Sequence, residues 1–309
     1  MPTRLRTAVL GSVVLASVLS ALGAAAPGPR SGYPVIAAAG DIACDPADGS
    51  YNDGRGSATA CRALATSRLV RAGRYTAVLT LGDNQYDDGA YSMYRVSYAR
   101  SWGHVRAITR PTPGNHDYLT ENAAGYFRYF GRAAGSPLRG YYSFDIGAWH
   151  LVSLNSNCSE IGGCERGSPQ VRWLRRDLSR HRSTCVLAYW HHPRFSSGPY
   201  GNDDSTAALW SALYDSGADV VLSGHEHSYE RFAPQGPAGE LDRRRGIREF
   251  VVGTGGRAHR GFESLARNSQ RRDSTSFGIL ALTLRPEGYD WKYVPAGGSF
   301  SDDGSARCH

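Results

Sequence analysis

The fold of this chain is constrained most by four short apolar runs. Each run is followed by a residue that can bind a metal ion. The runs at residues 35–39 and 77–81 end in Gly-Asp, and those at residues 186–190 and 219–222 lead into histidines. Runs of this length and composition predict strands that are buried on both faces of a sheet. Because binding sites form at the carboxyl ends of such strands, we expect the polar residues to converge.

Helical patterns separate these strands, and a strand-rich segment follows them. Residues 58–72, 91–102, 169–180 and 206–216 carry apolar side chains at helical spacing. Three more strand patterns follow residue 248, and no helical pattern separates the last two. This order predicts an α/β fold, specifically a four-layer αββα sandwich of two mixed β-sheets flanked by helices.

The first 26 residues have the layout of a secretory signal peptide. An apolar run at residues 8–22 follows a positively charged start, and the small residues after it predict cleavage near Ala24–Ala26. An uncleaved anchor is the alternative, although the run is short for a membrane span. We therefore expect a secreted protein without stable membrane insertion. A short linker at residues 27–32 would precede one catalytic domain at residues 33–309.

The six cysteines fit an oxidising compartment. An even count favours disulfide bonds over metal ligation there, and the chain has no CxxC pair. The sequence alone leaves several connectivities open. Proximity along the chain favours Cys44–Cys61 and Cys158–Cys164, which leaves Cys185–Cys308 as the third pair.

The basic residues of the chain are not arranged in a pattern typical of nucleic acid binding. The formal net charge is +7, carried almost wholly by arginines, with Lys292 as the one lysine. A basic surface attracts anions in general. The densest run, residues 243–245, lacks the interleaved aromatic side chains on which bases stack. We therefore expect no nucleic acid partner beyond nucleotides as substrates.

Seven side chains near the strand ends form a donor set for two metal ions. Each alone has a structural alternative, such as capping a turn or packing in the core. Together, mixed oxygen and nitrogen donors suit zinc, iron or manganese better than calcium. Two ions about 3.5–4 Å apart can clamp the attacking and leaving oxygens of an in-line displacement. The seven residues are Asp41, Asp83, Tyr86, Asn115, His191, His225 and His227.

Five motifs in a fixed order give the chain a family resemblance. The sequence resembles the calcineurin-like metallophosphoesterases and, within them, the purple acid phosphatases. One such motif is a moderate signal, whereas five in the family order are a strong one. The motifs are Gly40-Asp41, Gly82-Asp83-Asn84-Gln85-Tyr86, Gly114-Asn115-His116-Asp117, His191-His192-Pro193 and Gly224-His225-Glu226-His227.

The resemblance implies a dinuclear site that hydrolyses phosphate esters, chiefly small phosphomonoesters, with a metal-activated hydroxide. Asp83 would bridge the two ions, and His116 would protonate the leaving group. His192 and Arg194 are further candidates for contacting the substrate. The implied ligands are Asp41, Tyr86 and His227 for a ferric ion, and Asn115, His191 and His225 for a divalent zinc, iron or manganese ion.

Two departures from the family pattern affect the assignment of the chain to the purple acid phosphatase branch. Ala43 stands where many relatives have a histidine ligand, and Tyr86 supplies a ligand in its place, as in the purple branch. The second outer-sphere histidine of the plant enzymes has no clear equivalent near Gly201. Two alternatives stay open: a phosphodiesterase or nucleotidase with a non-ferric dimetal site, and a non-enzymatic surface binding protein that kept the fold.

Overall fold

The computed structural model describes residues 1–3, 32–181, 183 and 185–309. The predicted signal peptide and linker therefore lie outside the described residues, apart from residues 1–3 and 32. Tyr33–His309 forms one compact unit. In the part of the chain that is described, every helix is too short or too polar to cross a bilayer.

Strands and helices alternate through the first two thirds of the compact unit, apart from one two-stranded hairpin. The strands are β1 Val35–Ala39, β2 Ala77–Leu81, β3 Thr109–Thr112, β4 Tyr142–Ile146, β5 Trp149–Ser153, β6 Cys185–Tyr189, β7 Val220–Ser223, β8 Tyr229–Phe232, β9 Arg248–Val252, β10 Ser269–Asp273, β11 Gly278–Arg285, β12 Gly288–Pro295 and β13 Asp303–Arg307. The α-helices are α1 Ala63–Ala72, α2 Tyr91–Val96, α3 Ala124–Phe130, α4 Pro169–Arg180 and α5 Ala207–Asp215.

The strands form two mixed sheets. The first has the order β13-β12-β11-β1-β2-β3, and the second has the order β10-β8-β9-β7-β6-β5-β4. The strands β1, β2 and β3 are parallel, as are β5, β6, β7 and β9. The remaining pairs are antiparallel. Two mixed sheets flanked by helices confirm the predicted α/β sandwich.

The apolar strand residues explain why the sheets pack face to face. Ile36 from the first sheet and Leu187 from the second are fully buried in the same apolar cluster. A second cluster lies between the other face of the second sheet and the helices α4 and α5, and it includes Leu174 and Trp210. Helix α4 has the predicted bounds because Ser168 caps it and Pro169 occupies its first turn.

All three predicted disulfide bonds are present: Cys44–Cys61, Cys158–Cys164 and Cys185–Cys308. The third joins β6 to the end of the chain across a sequence separation of 123 residues. Closing so long a loop removes conformational entropy from the unfolded chain, which stabilises the folded state.

Two predicted helices are shorter than expected. Helix α1 starts at Ala63, because the preceding residues form a loop around Cys61, whose backbone is left-handed. The pattern at residues 91–102 gives α2, then a 3-10 helix at Tyr98–Arg100 and the start of another at Trp102–Ile108. The amide of Tyr98 donates to Gln85 Oε1 at 3.1 Å, and this side-chain bond competes with continuation of the helix.

A buried histidine joins the β4–β5 hairpin to α4. His150 Nδ1 lies 2.7 Å from Asp145 Oδ1, and Nε2 lies 2.9 Å from Asp177 Oδ2. Only a doubly protonated ring can donate both hydrogen bonds. Burial would lower the pKa of His150, but the bonds to Asp177 and Asp145 outweigh burial and raise it.

This raised pKa predicts a pH-dependent stability. The unfolded state loses the His150 proton near pH 6.5, before the folded state does, so stability is lost as pH rises from there through the raised pKa. We expect His150→Gln to flatten this part of the profile of unfolding free energy, measured by urea denaturation. The exposed His104→Gln is the control. An unchanged slope in His150→Gln would contradict the role of the ion pair.

Candidate metal centre

The polar residues at the strand ends meet at one edge between the two sheets. Asp41 and Asp83 follow β1 and β2, and His191 and His225 follow β6 and β7. Hydrogen bonds link the two sets. His191 Nδ1 donates to the Leu81 carbonyl at 2.8 Å, and the His225 amide donates to Asp41 Oδ2 at 2.9 Å. The carboxyl ends of both parallel segments therefore build one site.

Sharp turns aim these side chains. Asp41, Asp83 and His225 have φ values of 60°, 46° and 67°, in the left-handed region that non-glycine residues rarely adopt. Such backbone conformations concentrate at functional sites. Gly82 and Gly114 are needed for close approach, because a Cβ would overlap the His191 ring at the first and Asp83 at the second. The Gly-Asp and Gly-Asn pairs of the sequence therefore have a steric cause.

The phenol of Tyr86 is the centre of the first donor group. Its hydroxyl oxygen lies 2.9 Å from Asp41 Oδ1, 2.9 Å from Asp83 Oδ2 and 3.1 Å from His227 Nε2. Asp41 Oδ1 is also 3.4 Å from His227 Nε2. These four side chains thus direct oxygen and nitrogen atoms at one small buried volume.

His191 is the centre of the second donor group. Its Nε2 lies 3.0 Å from Asn115 Oδ1, 3.2 Å from His225 Nδ1 and 3.4 Å from Asp83 Oδ1. The bond from His191 Nδ1 to the Leu81 carbonyl fixes the tautomer and leaves Nε2 free as a ligand. His227 is fixed in the same way, because its Nδ1 lies 2.7 Å from the Ala258 carbonyl oxygen.

Asp83 belongs to both groups. Its Oδ2 faces Tyr86, whereas its Oδ1 faces His191 and also accepts a hydrogen bond from the His116 amide at 2.8 Å. The side chain is 2% exposed, so this orientation is fixed by packing. One carboxylate therefore directs a separate oxygen at each donor group.

The electrostatics of the cluster favour added positive charge. Burial, reinforced by the Asp41 and Asp83 carboxylates, raises the pKa of Tyr86 well above its usual range. Burial lowers the pKa of His191, but the Asp83 carboxylate outweighs burial and raises it to about 9. The Tyr86 phenol and the His191 imidazole thus each hold a proton that a metal ion can replace. Because the donors are the oxygen and nitrogen atoms that zinc, iron and manganese bind, the residues fit a pair of such ions.

His116 lies beside the first donor group with its ring against Tyr86, the ring centroids being 4.4 Å apart. Its Nδ1 is 2.5 Å from the Asp87 carbonyl oxygen, which fixes a hydrogen on Nδ1. Its Nε2 is 3.9 Å from Asp83 Oδ2, and about a quarter of the side chain is exposed. This nitrogen is therefore close to the cluster without belonging to either donor group, on a side chain that is partly exposed.

The two predicted substrate contacts differ in position. His192 lies with its ring 4.5 Å from that of His225 and lines an open cavity of about 430 Å³. Arg194 is buried and binds Asp204 at 2.8 Å and the Pro237 carbonyl oxygen. Its described contacts do not include the donor groups, so its contact with phosphate remains only a prediction.

Sequence reasoning assigned no role to three charged residues that contact the loops or side chains of the site. Asp117 accepts hydrogen bonds from the Gly114 amide and Asn84 Nδ2, which joins two ligand-bearing loops. Glu249 accepts from the amides of the loop after His191. The guanidinium of Arg257 lies 4.8 Å from the centroid of the Tyr86 ring. The only sequence signal was the position of Asp117 inside a motif.

Comparison with known proteins agrees with the fold and motifs. Residues 35–229 match the model of the calcineurin-like phosphoesterase family. Purple acid phosphatase 18 of Arabidopsis thaliana is 29% identical over 177 residues, covering 51% of this chain and 39% of that protein. Purple acid phosphatase 21 of the same plant is 32% identical over 183 residues, covering 53% and 40%. The chain thus spans about two fifths of the length of these curated relatives.

A solved structure extends the likeness beyond the matched segment. Purple acid phosphatase PPD1 from yellow lupin seeds superposes with a TM-score of 0.71 at 19% sequence identity, covering 90% of this chain and 54% of that one. At this identity the likeness is one of fold. The motifs, the family match and the sandwich of two mixed sheets agree, and the chain belongs to the calcineurin-like phosphoesterase family.

Proposed function

We propose that residues 33–309 are the catalytic domain of a metal-dependent phosphoric ester hydrolase that acts chiefly on phosphomonoesters. The observation that carries this proposal is the geometry of Asp83, whose two oxygens face two separate donor groups. A non-enzymatic protein has no need to keep both groups. The purple acid phosphatases among the relatives support the same class of reaction.

In this proposal each donor group would hold one ion, and Asp83 would supply an oxygen to both. The Tyr86 group would hold a ferric ion, because a phenolate and a carboxylate suit a hard trivalent cation. The group around His191 would hold zinc, iron or manganese in the divalent state. The implied ligands are Asp41, Tyr86 and His227 for the first ion, and Asn115, His191 and His225 for the second.

When bound, the ions supply Lewis acidity and lower the pKa of a coordinated water. The side chains of this protein position the other participants. His116 directs Nε2 toward the edge of the cluster, where it can donate a proton to the leaving oxygen. His192, held by Ser156 Oγ at 2.8 Å, is available to bind a phosphate oxygen.

Metal analysis of the purified mature protein, with a visible spectrum, tests this assignment. We expect two ions per chain, one of them iron, and faster hydrolysis of p-nitrophenyl phosphate than of bis(p-nitrophenyl) phosphate. A colourless protein with zinc alone and a preference for the diester would favour the phosphodiesterase alternative. A protein with two ions and no hydrolysis of either ester would overturn the hydrolase.

Tyr86→Phe gives a separate prediction for the ferric ion. Removing the hydroxyl deletes the proposed phenolate ligand but keeps the ring that packs against His116. We expect the visible charge-transfer band to disappear, as measured by absorption of iron-loaded protein. Tyr118→Phe, which alters a tyrosine outside both donor groups, is the matched control. A band that survives in Tyr86→Phe would assign the colour to another ligand.

We further propose that the protein is exported. Three disulfide bonds support this, because such bonds persist in oxidising compartments. Sequencing the N-terminus of protein recovered from the culture medium tests the predicted cleavage near Ala24–Ala26.

A further inference from the structure

The cavity beside the proposed metal centre has a distinct chemical character. It borders Asn115 and His192, and its volume of about 430 Å³ is in the range of small-molecule sites. A phosphate bound at the centre would place the rest of its ester in or near this space. The side chains of the cavity therefore bear on which alcohols the site accepts.

The charged residues around the cavity are acidic. Glu160 and Asp203 line it, and the described residues that line it include no lysine or arginine. Neither carboxylate forms an ion pair within the described part of the chain, whereas the neighbouring Asp204 is paired with Arg194 at 2.8 Å. The two carboxylates therefore carry uncompensated negative charge beside the centre.

Local restraints hold the backbone at both carboxylates, and the Glu160 side chain is exposed. Glu160 lies inside the loop that the Cys158–Cys164 disulfide closes. Asp203 accepts a hydrogen bond from the Ser205 amide at 2.8 Å with one oxygen, which leaves the other for a ligand. A preorganised charge loses less conformational entropy on binding than a mobile one.

An aromatic and an aliphatic side chain also line the cavity, whose remaining lining is mostly serine and asparagine. Tyr118 and Leu119 line the same cavity, and Leu119 is 65% exposed. The Tyr118 hydroxyl accepts a hydrogen bond from Asn155 Nδ2 at 2.8 Å, which orients the ring. An aromatic face together with carboxylates is a combination that binds alkylammonium groups.

We propose that this cavity is a leaving-group subsite that selects phosphate esters of ammonium-bearing alcohols, such as choline. This inference rests on the proposed hydrolase function. Esters whose leaving group is anionic, including nucleoside polyphosphates, would meet two unpaired carboxylates and be rejected by repulsion. Arg257, beside the Tyr86 ring, and Arg260, which donates to the His225 carbonyl oxygen, do not line the cavity.

A matched pair of substrates measures the preference. Phosphorylcholine and 3,3-dimethylbutyl phosphate have the same shape, but a carbon replaces the charged nitrogen in the second. We expect kcat/KM to favour phosphorylcholine roughly 10-fold, the sum of two modest surface ion pairs. Because the ammonium charge is unchanged during the reaction, the difference should lie in KM. The anionic 3-phosphoglycerate should be a poorer substrate than either.

Substitutions in the cavity test the cause. The double variant Glu160→Gln with Asp203→Asn should bring the ratio of the two kcat/KM values close to one. Glu160→Gln alone changes an exposed residue and should give an intermediate ratio. This single variant still tests the proposal if the double variant does not fold. Glu287→Gln removes an exposed carboxylate outside the cavity and is the matched control.

The outcomes separate this inference from the proposed function. Equal kcat/KM values for the matched pair in the unmodified protein, with p-nitrophenyl phosphate hydrolysed, would overturn the subsite and leave the hydrolase intact. A ratio that persists in the double variant would also overturn it. If no ester is hydrolysed, the proposed hydrolase function is wrong. The subsite is then tested by measuring the affinities of the matched pair by calorimetry. Equal affinities would then overturn the subsite as well.

Discussion

Asp83→Ala is expected to release both metal ions and to abolish hydrolysis. The side chain directs one oxygen at each donor group, so its removal takes a ligand and a negative charge from both. We expect kcat/KM to fall by at least about 10³-fold, the upper end of the loss when one oxyanion-stabilising donor is removed. Metal content per chain, measured by elemental analysis after desalting, is the direct test.

Asp41→Ala is the matched control for this experiment. Its Oδ1 faces Tyr86 and His227, and its Oδ2 accepts a hydrogen bond from the backbone amide of His225, not from a side-chain donor atom of the second group. The variant should therefore lose the ion of the Tyr86 group and retain the other. Two full metal equivalents in Asp83→Ala would contradict bridging, and so would equal losses in both variants. Retained circular dichroism in each variant would exclude unfolding as the cause.

The sequence could predict the inner strands and the residues at their ends because these strands are apolar along their whole length. β1, β2, β6 and β7 are buried at nearly every position, so their pattern does not depend on which face is exposed. A turn at the end of such a strand needs a residue with unusual backbone freedom. Gly40-Asp41 and Gly82-Asp83 supplied that signal.

The outer elements could not be predicted in the same way. The edge strands β10 and β13 have the sequences SQRRD and DGSAR, and solvent covers much of both. Their backbone hydrogen bonds to the neighbouring strand define them, and hydrophobic periodicity does not report such pairing. Helix α3 was missed because a turn with Ala123 in a left-handed conformation precedes it and no side chain caps it.

The buried carboxylates around the site were hidden for a different reason. Asp117 and Glu249 are fully buried, and each accepts a hydrogen bond from a backbone amide that is distant in sequence, Asn84 for Asp117 and Arg194 for Glu249. Burial raises the pKa of Glu249 to about 8, because the charged carboxylate is shielded from solvent. A contact between distant loops leaves no local pattern, so only the fold could assign these residues as supports of the site.

The second large effect that we expect is the loss of kcat when His116 is replaced. The Asp87 carbonyl oxygen fixes the ring on one side and Tyr86 packs against it, yet about a quarter of the side chain is exposed. A proton donor matters only when the leaving oxygen is a poor leaving group. The proposed role can therefore be separated from a structural role by changing the substrate as well as the residue.

His116→Ala should lower kcat for an alkyl phosphate by about 10²–10⁴-fold, the usual contribution of a general acid. The loss for p-nitrophenyl phosphate should be much smaller, because nitrophenolate departs without a proton. Steady-state kinetics on both substrates give the comparison, with the exposed His104→Ala as control and metal content checked in each variant. Equal losses on the two esters with both ions retained would contradict proton donation, since a residue that only shapes the cluster affects both substrates alike.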